Sequence, residues 1–269
     1  MNQIGFEDNT PWTCPECGME RLHGGSFCPV CGRPADDALY ERYGCLNAEA
    51  REELADDEST DHDLLVALAM DADRWISSTA KHNPSLPASF LSNIEYSRFD
   101  CGLLSHPNVP EAVLRRYAVH EDEWLRSSVA RNPSAPEDLL RTLAHDESMY
   151  VRGNVGVNPK APEDVLFVLA HDKEMEVRQN LACSTILPEA LFRELACDKR
   201  VYIRRGVACN KFAPAEVLTQ LARDSQRRVR RNVVENAAAP NAALEILAQD
   251  PVEEIASLAA RFLAIRRAY

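Results

Sequence analysis

The sequence lacks several features that would assign it to a class at once. It has no run of about eighteen apolar residues, so no membrane-spanning helix is expected. Its first twenty residues lack a basic stretch followed by an apolar core, so no secretory signal is expected. We therefore expect a cytoplasmic protein. In such a protein, the nine cysteines are interpreted as metal ligands or buried thiols in preference to disulfides.

The sequence also lacks the motifs of common enzymes. It has no glycine-rich phosphate loop, no nucleophile elbow and no HExxH pattern. His145 and His171 each precede an aspartate, but they recur with the repeat described below, which indicates a surface position and not a general base. We therefore expect no enzyme activity and no catalytic residues.

Basic residues are in the minority in this chain. The 269 residues carry a net charge of -12, and an acidic surface repels nucleic acid and anionic membranes. Residues 201–269 differ, because they hold 11 basic and 7 acidic residues, a balance of +4. Nucleic acid is therefore possible as a partner but disfavoured by charge, and no membrane partner is expected.

A period of 26 residues runs through most of the chain, and we count eight repeats from about residue 57 to about residue 262. Repeat 83–105 is three residues short, and it should bend or interrupt the stack, either as a tolerated deletion or as a break that shapes a partner groove. The period is carried by Pro110, Pro136, Pro162, Pro188, Pro214 and Pro240, by Asp146, Asp172, Asp198, Asp224 and Asp250, and by Arg126, Arg152, Arg178, Arg204 and Arg230.

Each repeat is predicted to contain two helical segments. A proline opens the first at position N1, and apolar residues follow at helical spacing, as at Leu139, Leu140 and Leu143. The second contains pairs such as Val151 and Val155. Because average helices have about 11–12 residues, we expect the second segment to be a short α-turn or 3-10 helix. One repeat cannot bury its apolar face alone, so the repeats should stack into a superhelix.

The pattern NPxxPxxxLxxLAxDxxxxVRxxVAxN resembles the leucine-rich repeat variant (LRV) family of bacterial proteins, over about three quarters of the chain. The resemblance implies an all-α, right-handed solenoid in which an α-helix alternates with a 3-10 helix. The family's usual repeat is slightly shorter, and the Asp-x4-Val-Arg element is also similar to part of a HEAT repeat. LRV proteins are associated with an N-terminal iron–sulfur domain, which the resemblance offers as an alternative for the cysteines discussed below.

The recurring arginine has two interpretations. A row of guanidinium groups along one face could bind phosphates or carboxylates. Alternatively, each arginine and the aspartate six residues before it, such as Asp146 and Arg152, could satisfy helix ends and bridge neighbouring repeats. We favour the second interpretation. Ser77, Asp100 and Ala256 occupy the arginine position in three repeats.

Further arginines crowd the C-terminal repeats. A charge run of this kind is most often a solvated face, but it could also be a patch for anions or an acidic partner. No aromatic residues are interleaved there in a pattern typical of base stacking. The candidate patch consists of Arg205, Arg223, Arg227, Arg228 and Arg231.

The segment CPECGMERLHGGSFCPVCG, which begins at Cys14, contains two Cys-x2-Cys pairs separated by ten residues. Four thiolates can bind one ion tetrahedrally at about 2.3 Å, and the glycine after each pair accepts the positive φ of a tight knuckle. We predict a closed, structural, zinc-ribbon-like site made of Cys14, Cys17, Cys28 and Cys31. Its symmetric knuckles favour Zn²⁺ over a 4Fe-4S cluster, and His23 is not needed as a ligand.

The other five cysteines suggest little chemistry. Cys183 and Cys209 occupy equivalent positions in adjacent repeats, about 8–10 Å apart, which exceeds the reach of a disulfide and predicts buried thiols. Cys45 is the best candidate for an additional metal ligand, while Cys101 and Cys197 have no evident partner.

These observations divide the chain into a four-cysteine ribbon at 1–36, a helical and acidic connector at 37–56 and a helical repeat solenoid at 57–269. The leading hypothesis is a non-catalytic, metal-binding scaffold that binds a protein or peptide on the solenoid surface. The alternatives are a nucleic-acid-binding protein, which would use the ribbon and the basic C-terminal repeats, and an iron–sulfur redox or sensor protein.

Overall fold

A computed structural model describes residues 12–21, 26–28, 31–97 and 101–267. Near the N-terminus, strands β1 (Trp12–Thr13) and β2 (Glu20–Arg21) form an antiparallel hairpin. Nearly all of the remaining regular structure is helical, and the helices pack as repeats, so the predicted all-α repeat fold is confirmed.

Seventeen α-helices lie within the described residues, and none of them is long and apolar enough to cross a membrane. They are α1 (Asp37–Tyr43), α2 (Ala48–Asp56), α3 (His62–Ala69), α4 (Arg74–His82), α5 (Ala88–Asn93), α6 (Glu111–Tyr117), α7 (Glu123–Arg131), α8 (Glu137–Leu143), α9 (Met149–Val157), α10 (Glu163–Ala170), α11 (Met175–Ala182), α12 (Glu189–Leu195), α13 (Val201–Cys209), α14 (Ala215–Leu221), α15 (Arg227–Glu235), α16 (Asn241–Leu247) and α17 (Glu253–Arg267). In addition, residues Cys101–Ser105 form a 3-10 helix.

Both helices of a full-length repeat are α-helices, which corrects the expected alternation of α-helix and 3-10 helix. In the repeat at 132–157, the first helix α8 has seven residues and the second helix α9 has nine. Two helices of about two turns each fit within 26 residues because both are shorter than the average helix. Among the described repeats, only the shortened one, 83–105, has a 3-10 helix as its second helix.

The local sequence explains where the helices begin. Pro136 lies at the N-cap of α8, one position before the predicted N1, with φ of -70° and ψ of 150°. Both positions tolerate a residue without an N–H group, because no intrahelical partner exists for it there. The second helix α9 begins after Ser148, whose hydroxyl accepts a hydrogen bond from the amide of Tyr150.

The predicted apolar positions form the core. Leu140 and Leu143 on α8, and Val151 and Val155 on α9, are buried. Within the C-terminal part of the chain, the second helices α7, α9, α11, α13 and α15 contact one another in chain order. Each repeat therefore covers the apolar face of its neighbour, as expected for a stacked array.

The chain divides into two compact units, which we call the N-terminal unit (Met1–Tyr96 with His106–Val113) and the C-terminal unit (Ser97–Ser105 with Leu114–Tyr269). The division falls at the shortened repeat, 83–105. Asp100, which occupies the arginine position of that repeat, lies outside the described residues.

Candidate metal centre and repeat contacts

The two Cys-x2-Cys pairs form two matching knuckles. The amide of Gly18 donates to the carbonyl of Cys14 at 2.8 Å, and the amide of Gly32 donates to the carbonyl of Cys28 at 2.9 Å. The two glycines have φ values of +71° and +72°, the left-handed conformation that glycine adopts without strain. The sequence prediction for these glycines is thus confirmed.

The four sulfur atoms of Cys14, Cys17, Cys28 and Cys31 lie within 4.8 Å of one another. The Sγ atoms of Cys14 and Cys31 are 3.6 Å apart, and those of Cys17 and Cys28 are 3.5 Å apart. Ligands about 2.3 Å from a tetrahedral ion are themselves a little under 4 Å apart, whereas a disulfide needs about 2.05 Å. The cluster therefore fits a four-thiolate metal site and not a pair of disulfides.

The electrostatics of the cluster also favour a cation. Cys14 and Cys28 are buried. Burial raises the pKa of the Cys31 thiol, and the hydrogen bond from the backbone amide of Arg33 only partly opposes this effect. Four thiolates this close repel one another unless a positive ion lies between them, and metal binding is what releases their protons.

The second knuckle is anchored to the helices of the N-terminal unit. The amide of Leu46, between α1 and α2, donates to the carbonyl of Gly32 at 3.0 Å. A Cβ atom on Gly32 would lie 1.7 Å from the carbonyl oxygen of Leu46, so only glycine fits there. The Arg51 guanidinium lies 5.3 Å from the ring of Phe27. The order of the metal site and the packing of α1 and α2 are thus connected directly.

The described cysteines outside this cluster do not lie close enough to other metal-ligating side chains to form a metal site. Within the described residues, the four cysteines are the only group of three or more metal-ligating side chains that could hold an ion. Cys45, Cys183, Cys197 and Cys209 are exposed, which corrects the expectation of buried thiols at Cys183 and Cys209. These positions lie at or next to the exposed ends of helices. The side chain of Cys101 and the whole of His23 lie outside the described residues.

The recurring arginine connects two repeats. Arg152 donates from Nε to Asp172 Oδ2 at 2.6 Å and from Nη2 to Asp172 Oδ1 at 3.0 Å. Its Nη1 atom donates to the carbonyls of Asp146 and Glu147, at 2.7 and 2.9 Å. The structural interpretation is confirmed, but the ion pair is made with the aspartate of the next repeat. The equivalent pairs are Arg126–Asp146, Arg178–Asp198, Arg204–Asp224 and Arg230–Asp250.

The same arrangement occurs in the segment expected to be a connector. Arg51, on α2, donates from Nε to Asp71 at 2.8 Å and from Nη1 to the carbonyl of Leu46 at 2.8 Å. A helix pair of the repeat type, α1 and α2, thus lies within residues 37–56. Ser77 replaces the arginine in the next repeat, and its hydroxyl donates to the carbonyl of Ala69 at 2.7 Å.

An asparagine ladder was missed by sequence reasoning, which assigned the Asn-Pro pairs only to turns. The side-chain amide of Asn158 donates to the carbonyls of Ala130 and Asn132, 28 and 26 residues earlier in the chain, at 2.7 and 2.8 Å. Its Oδ1 atom accepts from the amide of Lys160 at 2.8 Å. Asn83, Asn210 and Asn236 each make the corresponding pair of bonds, Asn132 donates to the carbonyl of Leu104, and His106 takes the same position in its repeat. Their 26-residue spacing was the signal available in the sequence, and the structure adds that they are buried.

Besides the repeat that has His106, one described repeat lacks the asparagine of this ladder. Ser184 occupies the position, and its buried hydroxyl is without a hydrogen-bond partner in the structure. By the spacing of the other repeats, 28 and 26 residues, an asparagine at 184 would reach the carbonyls of Gly156 and Asn158. The contact between α9 and α11 is therefore held by fewer polar bonds than its neighbours.

The predicted arginine patch is divided by the structure. Arg231 pairs with Glu235 at 2.9 Å and with Glu254 at 3.3 Å, and Arg223, which follows α14, donates to the carbonyl of Thr219 on that helix at 3.4 Å. By contrast, no carboxylate of the described residues lies within ion-pair distance of the other three members, Arg205, Arg227 and Arg228.

An aromatic side chain recurs at the second position of the second helices. It is present at Trp75 on α4, Trp124 on α7, Tyr150 on α9 and Tyr202 on α13, all of which are exposed. The rings of Trp124 and Tyr150, on neighbouring helices, stack with centroids 5.4 Å apart and an interplanar angle of 22°. The indole N–H of Trp75 donates to Glu52 at 2.8 Å.

Comparison with known proteins confirms the resemblance to the LRV family. A family model described as "Leucine rich repeat variant" matches residues 123–148, one period of the repeat. The chain is also similar to a solved structure described as "a leucine-rich repeat variant with a novel repetitive protein structural motif". The two are 23% identical with a TM-score of 0.47, over 80% of this chain and 88% of that chain. No curated protein matches the chain in sequence.

Proposed function

We propose that this LRV-like protein is a non-catalytic scaffold that carries one structural metal ion and binds another protein on its repeats. The observation that supports the proposal is the use of the recurring polar groups. Arg152, Asp172 and Asn158, and their equivalents, are bound to one another or to backbone carbonyls. Groups committed to internal bonds in this way hold the array in shape and are not available as acids, bases or nucleophiles.

The proposed metal is Zn²⁺, bound by Cys14, Cys17, Cys28 and Cys31. Two matching knuckles and four close sulfurs suit a tetrahedral ion, and four protein ligands leave no position for a catalytic water. The ion would order a segment too small to form a core of its own. We also propose a cytoplasmic location, where exposed thiols such as Cys183 and Cys209 stay reduced.

The metal assignment is tested by elemental analysis and the visible spectrum of anaerobically purified protein. We expect about one zinc per chain and no colour. Iron with inorganic sulfide and a broad visible absorption would instead support the alternative of an iron–sulfur redox or sensor protein. In that case the four cysteines would be an electron-transfer or sensing site, and the repeats its docking surface.

Protein binding is tested by affinity capture on full-length protein, with and without nuclease and at two salt concentrations. We expect a defined protein that is retained after nuclease treatment. The second candidate, nucleic-acid binding, is favoured only by the exposed Arg227 and Arg228, which have no described carboxylate partner. It predicts that capture is lost with nuclease and that the affinity falls steeply with salt.

A further inference from the structure

The repeats of the C-terminal unit expose two different surfaces. The first-helix face is the exposed side of α8, α10, α12 and α14, and the second-helix face is the exposed side of α7, α9, α11, α13 and α15. On the first-helix face, charges are paired between repeats: Arg141 donates to Asp164 at 3.1 and 3.2 Å, and Arg193 pairs with Glu216. The chain satisfies the charges of this face itself.

The second-helix face is different because its column of equivalent positions is mainly aromatic. In chain order, the column contains Trp124, Tyr150, Glu176, Tyr202 and Arg228. The exposed fractions of Trp124, Tyr150 and Tyr202 are 37%, 47% and 51%. Exposed aromatic side chains gathered on one face are typical of protein interaction surfaces, where they supply large apolar contact area at a small cost in conformational entropy.

The basic end of this face carries an unsatisfied donor. Arg205, on α13, has a buried Nε atom with no hydrogen-bond partner, and its guanidinium lies 5.8 Å from the ring of Tyr202. Because this Nε atom is buried, a partner acceptor could approach only the accessible part of the half-buried Arg205 side chain, whose charge no described carboxylate neutralises. Arg227 and Arg228, on the adjacent helix α15, also lack a described carboxylate. Arginine forks match carboxylates best, in bidentate geometry.

The dimensions of the face fit a short extended chain. Packed helices lie about 8–10 Å apart, so the four steps from α7 to α15 span about 32–40 Å. An extended peptide advances about 3.3 Å per residue, which corresponds to about 10–12 residues. The aromatic pair is at one end of this span and the unpaired arginines are at the other.

From these observations we infer that the second-helix face binds an extended segment of a partner protein, about 10–12 residues long, with apolar side chains on Trp124 and Tyr150 and acidic side chains on Arg205, Arg227 and Arg228. The inference rests on the proposed protein-binding function and names the class of partner and the direction in which it lies. It also assigns a role to the part of the predicted arginine patch that the structure leaves unpaired.

The test is selection of a random 12-residue peptide library displayed on phage against the full-length protein. We expect enriched sequences with Asp and Glu clustered at one end and apolar residues towards the other. Affinities of the enriched peptides would then be measured by fluorescence anisotropy for wild type, Trp124→Ala and Arg228→Gln. Each substitution should weaken binding about tenfold or more, because tryptophan and arginine are among the residue types that most often carry the binding energy of an interface.

Matched control variants lie on the first-helix face. Phe167, on α10, has the same exposed fraction as Trp124, 37%, and Arg193 is an arginine already paired with Glu216. Phe167→Ala and Arg193→Gln should change affinity less than about twofold. Melting curves of all four variants would show that each is folded.

Three outcomes would overturn the inference. If the enriched peptides lose affinity for Phe167→Ala or Arg193→Gln and not for the second-helix variants, the protein-binding function is supported, but the second-helix face is not the binding site. If enriched peptides carry no acidic bias, the assignment of the arginines is wrong. If no peptide is enriched while a twelve-nucleotide oligothymidine binds with a steep salt dependence, both this inference and the proposed function fail.

Discussion

The four-cysteine segment and the repeats both bring polar side chains close together, and these side chains find their partners in different ways. Around Cys14 and Cys28, a short segment with two small knuckles gathers four thiols at one point, where they could hold a metal ion from outside the chain. The C-terminal unit places Arg152 against Asp172, and Asn158 against two carbonyls, so that each repeat supplies the polar partners of the next. The first region should therefore respond to chelators, and the second to acid and to substitutions in its ladders.

The largest effect is expected at the metal site. Cys28→Ser should abolish metal binding and the order of residues 12–21 and 31–34, because structural zinc contributes on the order of 10 kcal/mol to small domains of this kind. Metal content and hydrogen exchange of these residues would measure the effect. Cys45→Ser, the control, removes an exposed thiol outside the cluster and should leave both unchanged. Loss of metal in Cys45→Ser would show that the ligand set is wrong.

The next largest effect is expected for the recurring arginines, each of which pairs with the aspartate of the next repeat. Arg152→Ala leaves the Asp172 carboxylate, whose side chain is only 8% exposed, without its partner and two carbonyls without a donor, and should destabilise the protein by about 3–5 kcal/mol. The control Arg141→Ala breaks an exposed pair with Asp164 and should change the unfolding midpoint little. Denaturant unfolding would compare them. Equal losses of stability in the two variants would mean that the burial of an ion pair does not determine how much it stabilises this protein.

A somewhat smaller loss is expected in the asparagine ladder. Asn158→Ala leaves the carbonyls of Ala130 and Asn132 buried without the donor they now have, which should cost about 2–3 kcal/mol. Asn180→Ala, at an exposed position on α11, serves as the control and should cost less than about 0.5 kcal/mol. An unchanged denaturant midpoint in Asn158→Ala would contradict a structural role for this ladder.

The repeats should also lose stability in acid. The hydrogen bond from Arg230 holds the pKa of Asp250 below its usual value, and at Asp172 and Asp224 desolvation is outweighed by Arg152 and Arg204, with the same result. Because these folded-state pKa values lie below the unfolded value of about 3.9, their contribution is complete above that pH and is lost as the pH falls through the lowered pKa. Thermal melts between pH 6 and 3 would measure it. Asp250→Asn should flatten the profile, and an unaltered slope would remove Asp250 from this explanation.

The smallest effect is a gain. Ser184→Asn should restore the missing ladder position and stabilise the protein by about 1 kcal/mol, if the new amide reaches the carbonyls of Gly156 and Asn158. Ser184→Ala removes a buried hydroxyl that has no partner, so it should cost nothing. If asparagine is less stable than alanine at this position, the contact between α9 and α11 is too tight for the ladder.

Much of the candidate metal site followed from the sequence, because the four cysteines and their knuckles are local features of the chain. Cys14, Cys17, Cys28 and Cys31 stand in two pairs, and the glycine after each pair has the positive φ that a knuckle needs. The prediction of buried thiols at Cys183 and Cys209 is wrong, because both are exposed. Their spacing placed them in equivalent positions, but exposure depends on which side of the helix end faces the next repeat, and the period does not specify this.

The sequence by itself determined the period, the placement of the helices and the apolar positions of each repeat, because these depend on side chains close together along the chain. It could not determine that Arg152 pairs with Asp172, 20 residues later, instead of Asp146, six residues earlier. In a repeat every aspartate of the column is equivalent in pattern, so only the stacking of one repeat on the next decides which carboxylate is within reach. The same stacking made Asn158 a ladder residue and brought Trp124 against Tyr150.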